Sequence, residues 1–233
     1  MSAMDIDRFV HKLIRYPGPQ SRLAGLDVAL QSIEELLTHA RDQNLVRLEA
    51  RLKQYGHVMH PEDAEDEIYD VERINDQLLP KVLLGGFVIM LWSAFESCVK
   101  DLAEYTRKEK QGVFGLEEIR GGDFLDQMEK FFKRMSGITV FPKRETRKQL
   151  EEIKSFRNAL VHSDGNTKHL PKSLKAKNAA EYIKHNLLLY SDLHHQYVVP
   201  NVEFARCRLT LINEFLVDFA ERLFKELHPQ KSS

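Results

Sequence analysis

The segment Ser155-Phe-Arg-Asn-Ala-Leu-Val-His-Ser-Asp-Gly165 holds the residue types best suited to chemistry in this chain of 233 residues. Arg157 offers a planar fork of donors that matches phosphate oxygens. His162 can transfer protons near neutral pH. Asn158 can orient a neighbour or bond a sugar or phosphate oxygen. Such a trio could cleave RNA without a metal. His162 would act on the 2′-OH or on the leaving 5′-oxygen, and Arg157 would stabilise the charge developing on the phosphorane.

The element that must position these groups is a helix from Glu145 to His162, with Ser163, Asp164 and Gly165 as its stop signal and Gly165 near the C′ position. Asn158 and His162 are four residues apart, so they share a face one turn from each other. Arg157 and His162 are five apart, which turns them about 140° from each other on an ideal helix. At a fraying last turn, a long Arg157 and His162 can still reach one anion, and a helix C-terminus is a favourable place for a cation. Spacing alone leaves two readings open: a reactive site, or a polar cluster that only caps a helix end.

Three longer stretches have helical periodicity. The first runs from Ser21 to Gln54, with Leu23, Leu26, Leu30, Ile33, Leu37, Leu45, Leu48 and Leu52 mostly recurring at three- or four-residue steps. Ser21 is its expected N-cap and Gly56 its stop. The second runs from Glu62 to Lys110 and lines one face with Leu84, Val88, Leu91, Phe95, Cys98 and Leu102. Pro80 is expected to kink or restart it. Gly85-Gly86 inside it costs about 1 kcal/mol per residue against Ala, to be offset by a close helix or subunit contact or explained by a kink beside Pro80. The third runs from Leu209 to Leu227, with Ile212, Phe215, Phe219 and Leu223 as its stripe, widened by Leu216 and Ala220. A shorter helix is expected over Asp123 to Met135, followed by an extended connector, Gly137-Ile-Thr-Val-Phe-Pro142. Tyr197-Val-Val199 reads as a short strand limited by Pro200, and Lys168 to Asn178 as an exposed loop.

Phe156-Arg-Asn-Ala-Leu-Val-His162, followed by Ser-Asp-Gly165, resembles the Arg-Asn-x-x-x-His signature of the HEPN superfamily of small helical domains. Leu91-Trp-Ser-Ala-Phe-Glu-Ser97 resembles the aromatic–Glu stretch of the long HEPN core helix, and Asp123 to Pro142 resembles the helix and connector of bacterial HEPN proteins. The resemblance covers residues 62 to 228, so the long N-terminal helix departs from it and would block, extend or regulate a dimer. It implies an all-α bundle of four or five helices that dimerises with two motifs facing each other. It also implies a metal-independent endoribonuclease of the kind found in toxin–antitoxin and anti-phage defence systems. Carried over, Arg157 and His162 are the catalytic positions and Asn158 the orienter. A composite site drawing on two chains would resolve the angular problem. Other HEPN proteins use the fold for binding or assembly, so a non-catalytic dimerisation module is the alternative, and an antitoxin or regulatory half of a two-gene pair is a third. The partners implied are a second copy, RNA, and an antitoxin or other protein.

Composition sets the outer limits. Lys and Arg number 34 against 35 Asp and Glu, a formal net charge of −1, which argues against a uniformly basic nucleic-acid binder and leaves room for a local patch. Hydrophobic residues at 42% supply a core, while 11 Gly and 8 Pro are too few for a turn-rich all-β chain. Cys98 and Cys207 are the only cysteines, which excludes a disulfide scaffold and a four-thiolate zinc site; Cys98 reads as a core residue. Charge is uneven. Lys143 to Lys184 holds 11 basic and 5 acidic residues, and Pro61 to Pro80 holds 8 acidic residues and one Arg. Both are either solvated helix faces, or a basic surface for a polyanion with an acidic surface that could pair with it in a dimer. Lys143, Arg144, Arg147, Lys148 and Lys154 are the expected RNA-backbone contacts.

Glu96, in a largely apolar segment, needs a partner such as Arg157 unless it faces solvent. His57 and His60 with Glu62 and Asp63 form no recognised ligand set, and neither do His185, His194 or His195; no metal and no cofactor are expected. No P-loop or dinucleotide motif is present. The N-terminus has no apolar signal region, and the apolar run Val82 to Phe95, about 14 residues, is shorter than a bilayer span. The expectation is a cytoplasmic protein with no membrane partner. It would have an N-terminal helical extension over 1–56, a helical domain over 57–228 and a short tail over 229–233.

Overall fold

The structure, a computed structural model, describes residues 19–163, 187–191 and 196–229. Six α-helices account for most of them: α1 (Pro19–Tyr55), α2 (Pro61–Arg73), α3 (Leu79–Glu109), α4 (Phe124–Ser136), α5 (Arg144–Ser163) and α6 (Val202–Leu227). The all-α class is therefore what the chain adopts, with one small exception. Leu187–Ser191 (β1) pairs antiparallel with Gln196–Pro200 (β2), Leu187 opposite Pro200 and Ser191 opposite Gln196. The strand expected at 197–199 finds its partner there, and Pro200 closes it at the last register position. The expected loop over 168–178, the stop residues Asp164 and Gly165, and His185, His194 and His195 lie outside the described residues.

The chain divides into two compact units. One comprises the residues up to Gly25, Met90–Ser155 and the segment from Arg208 onward; the other comprises Leu26–Ile89 and Phe156–Cys207.

The first unit has an aromatic core. Phe95, Phe131, Phe132 and Phe219 are fully buried, and each such side chain contributes about 1.5–3 kcal/mol by leaving water. Phe132 meets Phe219 edge to face at 4.8 Å, and Phe215 stacks on Phe219 at 5.8 Å and on Phe141 at 5.6 Å. Phe215, Phe219 and Leu223 recur at four-residue steps on α6 and are buried, so its apolar stripe is the core face. Cys98 sits in this core, and burial pushes its thiol up to about 11. α4 begins with a reciprocal cap. Asp123 Oδ1 accepts from the Asp126 N–H at 3.1 Å, and the Asp126 carboxylate accepts from the Asp123 N–H at 3.2 Å. It ends at Gly137, whose φ of 77° only glycine adopts without strain. The connector beyond it is held by Arg222, which donates to the carbonyls of Thr139 and Val140.

In the second unit α1 runs antiparallel to α2. Arg51 pairs with Glu67 at 2.8 Å, Asn44 donates to Asn75 at 2.8 Å, and Arg41 lies 3.6 Å from Asp76. Gly56 makes the turn between them; a Cβ there would stand 2.4 Å from the Leu52 carbonyl oxygen. α1 starts at Pro19, so Ser21 lies inside the helix and is not its cap. Of the α1 leucines only Leu23 and Leu30 are buried, and Leu45 is 40% exposed, so most of this helix lies on the surface.

Pro80 does not restart the second stretch. α2, a π turn over Ile74–Leu78 and α3 form one helix from Pro61 to Glu109. Proline lacks the N–H and its ring crowds the carbonyl four residues back. The wider turn makes room, with the Leu79 N–H reaching the Ile74 carbonyl five residues away. Within this helix an 18-residue window has a mean hydropathy of 1.9, long and apolar enough to cross a bilayer by length and composition, with half of it buried in protein. Gly85 is explained by close approach: a Cβ would lie 3.4 Å from Leu160 of α5.

Candidate functional site

α5 carries every residue of the candidate catalytic trio. Leu150, Ile153, Phe156 and Ala159 are buried at three-residue steps and fix its rotation. Phe156 sets the end of the helix by meeting Phe204 edge to face at 5.2 Å. Phe204 is placed in turn by Asn201, whose side-chain oxygen accepts from the Phe204 N–H at 2.8 Å and caps α6. The sequence reading starts this helix at Leu209, seven residues late; Asn201 after Pro200 was the available signal.

With that rotation fixed, Arg157 and Asn158 flank the buried stripe and are half-buried, while His162 is exposed on the last turn. Arg157 Nη1 donates to Asn158 Oδ1 at 3.0 Å. Arg157 Nε is buried and has no hydrogen-bond partner. No carboxylate among the described residues pairs with this guanidinium. A half-buried cation without a counter-ion is electrostatically unfavourable and draws anions to itself. His162 makes no hydrogen bond to a described residue, and none joins it to Arg157. The structure thus brings Arg157 and Asn158 together and leaves the imidazole open to solvent.

Glu96, the expected support, accepts from the Trp92 indole N–H one turn earlier on its own helix at 2.7 Å. Trp92 is buried, so this bond satisfies the one polar atom of a core side chain.

The expected RNA-binding cations separate into two kinds. Arg147 is ringed by three carboxylates: Nη2 donates to Asp126, Nη1 to Glu129 and Nε to Glu151. These bonds raise the Arg147 pKa further, Glu151 most, and the Arg147 guanidinium holds the Asp126 carboxyl below the usual carboxylate range. Lys154 pairs with the Asp123 carboxylate. Burial alone would raise the Asp123 carboxyl, but the Lys154 ammonium and the backbone N–H donors outweigh it and its pKa falls. The charge of Arg147 and of Lys154 is therefore spent inside the fold, tying α4 to α5, and neither is a free phosphate contact. Of these five, Lys143, Arg144 and Lys148 stand exposed with no such partner among the described residues. Glu151, four residues after Arg147, was legible as an intrahelical partner; Asp126 and Glu129 were not, because they arrive from another helix.

Among the described residues no three His, Cys, Asp or Glu side chains converge as a metal-ligand group. His60 lies 4.0 Å from Glu62 at the exposed start of α2, where Glu62 and Asp63 suit the positive end of the helix dipole.

No protein-family model matches this chain, and neither the curated proteins nor the solved structures hold a match to it.

Proposed function

We propose that this chain is a HEPN-type helical protein that works as a homodimer and cleaves RNA without a metal. One observation carries the reading. Arg157 is half-buried on a fixed helix face, with Nε unpartnered and no carboxylate among the described residues to neutralise it. That is the condition of a guanidinium awaiting an anion, and a phosphodiester supplies one. Asn158 holds one arm of the fork and sets its plane. His162, one turn beyond on the Asn158 face, supplies the proton-transfer group. The metal-independent chemistry, the defence role and an antitoxin partner come from the sequence motif alone.

The test uses purified parent chain, Arg157→Ala and His162→Ala with mixed RNAs in EDTA. Cleavage by the parent that both variants lose supports the reading. A folded His162→Ala chain that cuts as fast as the parent removes it. The alternative, a non-catalytic binding or assembly module of the same fold, is favoured by one feature: no described residue orients His162. That alternative expects RNA to be bound or ignored, never cut.

A further inference from the structure

The seam between α4 and α5 changes character along its length. Both helices, α5 as far as Ser155, lie in the first unit. They run antiparallel: Asp123 at the start of α4 pairs with Lys154, while Asp126 and Glu129 further along pair with the earlier Arg147. Helical spacing carries the same rows past these ion pairs. Asp126 is followed at four-residue steps by Lys130 and Arg134, and Glu129 by Lys133. On the other side Arg147 is preceded, one turn earlier, by Lys143 and Arg144. From Lys130 to Lys148 the chain holds seven Lys and Arg against one carboxylate, Glu145. Of the seven, Arg147 has carboxylate partners among the described residues. Lys130 donates to the neutral carbonyl of Gly121, which leaves its charge unopposed. It and the other five are exposed.

Fold stability does not account for this end of the seam. Lys143 and Arg144 stand at the positive end of the α5 dipole, where a cation is disfavoured. Cations brought side by side by two packed helices repel one another. The residues outside the described ones do not neutralise them either: 1–18, 164–186, 192–195 and 230–233 together hold nine basic and five acidic residues, so as a set they add positive charge. An external polyanion meets the need. Its kind follows from what the surface lacks. Single strands are held by stacking their bases on exposed aromatic rings. Here Phe131, Phe132 and Phe141 are buried, and the exposed aromatic side chains among the described residues, Tyr55 and Tyr69, belong to α1 and α2. A surface of cations without stacking rings suits phosphates already on the outside, those of a base-paired helix.

We infer that the cationic end of the α4–α5 seam, formed by Lys130, Lys133, Arg134, Lys143, Arg144 and Lys148, holds the phosphate backbone of base-paired RNA. The inference rests on the ribonuclease reading only for the choice of RNA; it adds the α4 half of the surface and the duplex form of the ligand. Phosphate contacts position a nucleic acid without reading its sequence, so the binding ignores sequence and weakens steeply with salt.

Fluorescence anisotropy with a short labelled RNA duplex and with its single strand, in EDTA over a range of salt, tests the assignment on the full chain. Binding is read in the parent and in His162→Ala, so that cleavage does not consume the probe. The expected result is tighter binding of the duplex than of the single strand. The double variant Lys133→Glu/Arg134→Glu should bind the duplex at least tenfold more weakly, with the salt slope lowered by about two and the melting temperature unchanged. Lys143→Glu, on the other helix, repeats the test should the double variant melt early. A parent that binds no duplex at low salt overturns the inference, as does tighter binding of the single strand or a folded double variant that binds as the parent does. Phosphatidylserine vesicles that hold the parent more tightly than the duplex, and lose it in the double variant, also overturn it by making the surface a lipid face. Cleavage is assayed on the same samples. Duplex that is held through Lys133 and Arg134 but never cut removes the nuclease reading alone; RNA that is cut while binding ignores those residues removes this inference alone.

Discussion

The two halves of α5 use the same residue types to opposite ends. Up to its middle Arg147 meets three carboxylates and Lys154 meets Asp123, so both of these cations are neutralised. Toward its end Arg157 meets, among the described residues, only the neutral amide of Asn158 and keeps a buried nitrogen unpaired. Neutralised cations fasten helices together and contribute stability. An unneutralised one costs stability and gains affinity for an anion. The difference separates the residues that hold this fold from those that could act.

Substitution of the catalytic pair is expected to have the largest effect. Arg157→Ala should lower EDTA-resistant RNA cleavage by about a hundredfold or more, and His162→Ala by a similar factor, read as initial rates on a labelled RNA. Neither should lower the unfolding midpoint much, since Arg157 has no ion pair to a described residue to lose. A large loss of stability in Arg157→Ala would erase the contrast between the halves.

Next in size is Arg147→Ala. It leaves Asp126, Glu129 and Glu151 facing one another without their shared cation. Because these carboxylates are partly solvated, a loss of about 1–2 kcal/mol is expected, measured by urea unfolding, with cleavage per folded molecule unchanged. Asp123→Ala should cost about 1 kcal/mol through loss of the α4 cap, again without touching the rate.

The acid limb of stability sharpens the same contrast. Asp126 has a folded pKa held below its ordinary value of 3.8. Its contribution is therefore fully present above that value and lost as pH falls through the lower, folded one. Arg147→Ala should flatten this acid-side loss in a series of melts below pH 5; Arg157→Ala should leave it as steep as in the parent.

The smallest effect belongs to Lys143, Arg144 and Lys148. Each changed to Ala should alter stability by less than about 0.5 kcal/mol and reduce the salt slope of RNA binding by about one where it contacts a phosphate. A salt slope that responds to Arg147→Ala as strongly as to these three would show that the ion-paired cluster opens to RNA.

Much of the architecture was legible in the chain. The α4 and α5 boundaries fall within about a residue of expectation because Asp123, Gly137 and the three-residue apolar step are local signals. The core face of the long helix and the stripe of α6 follow from periodicity in the same way. Pro80 misled because proline usually interrupts a helix; here the chain absorbs it in one widened turn. The first seven residues of α6 were missed because their cap is a single Asn201 side chain.

The sequence by itself determined the helices, their inward faces and the presence of Arg157, Asn158 and His162 on one of them, since each depends on residues within a turn or two. It could not say which cations are spent. Arg147 and Arg157 look alike in the string of letters. Only when α4 and α5 pack do Asp126 and Glu129 arrive beside one guanidinium, while the other is left with an amide. Coulomb energy depends on distance through space, and that distance is fixed by the folding of separate helices onto each other.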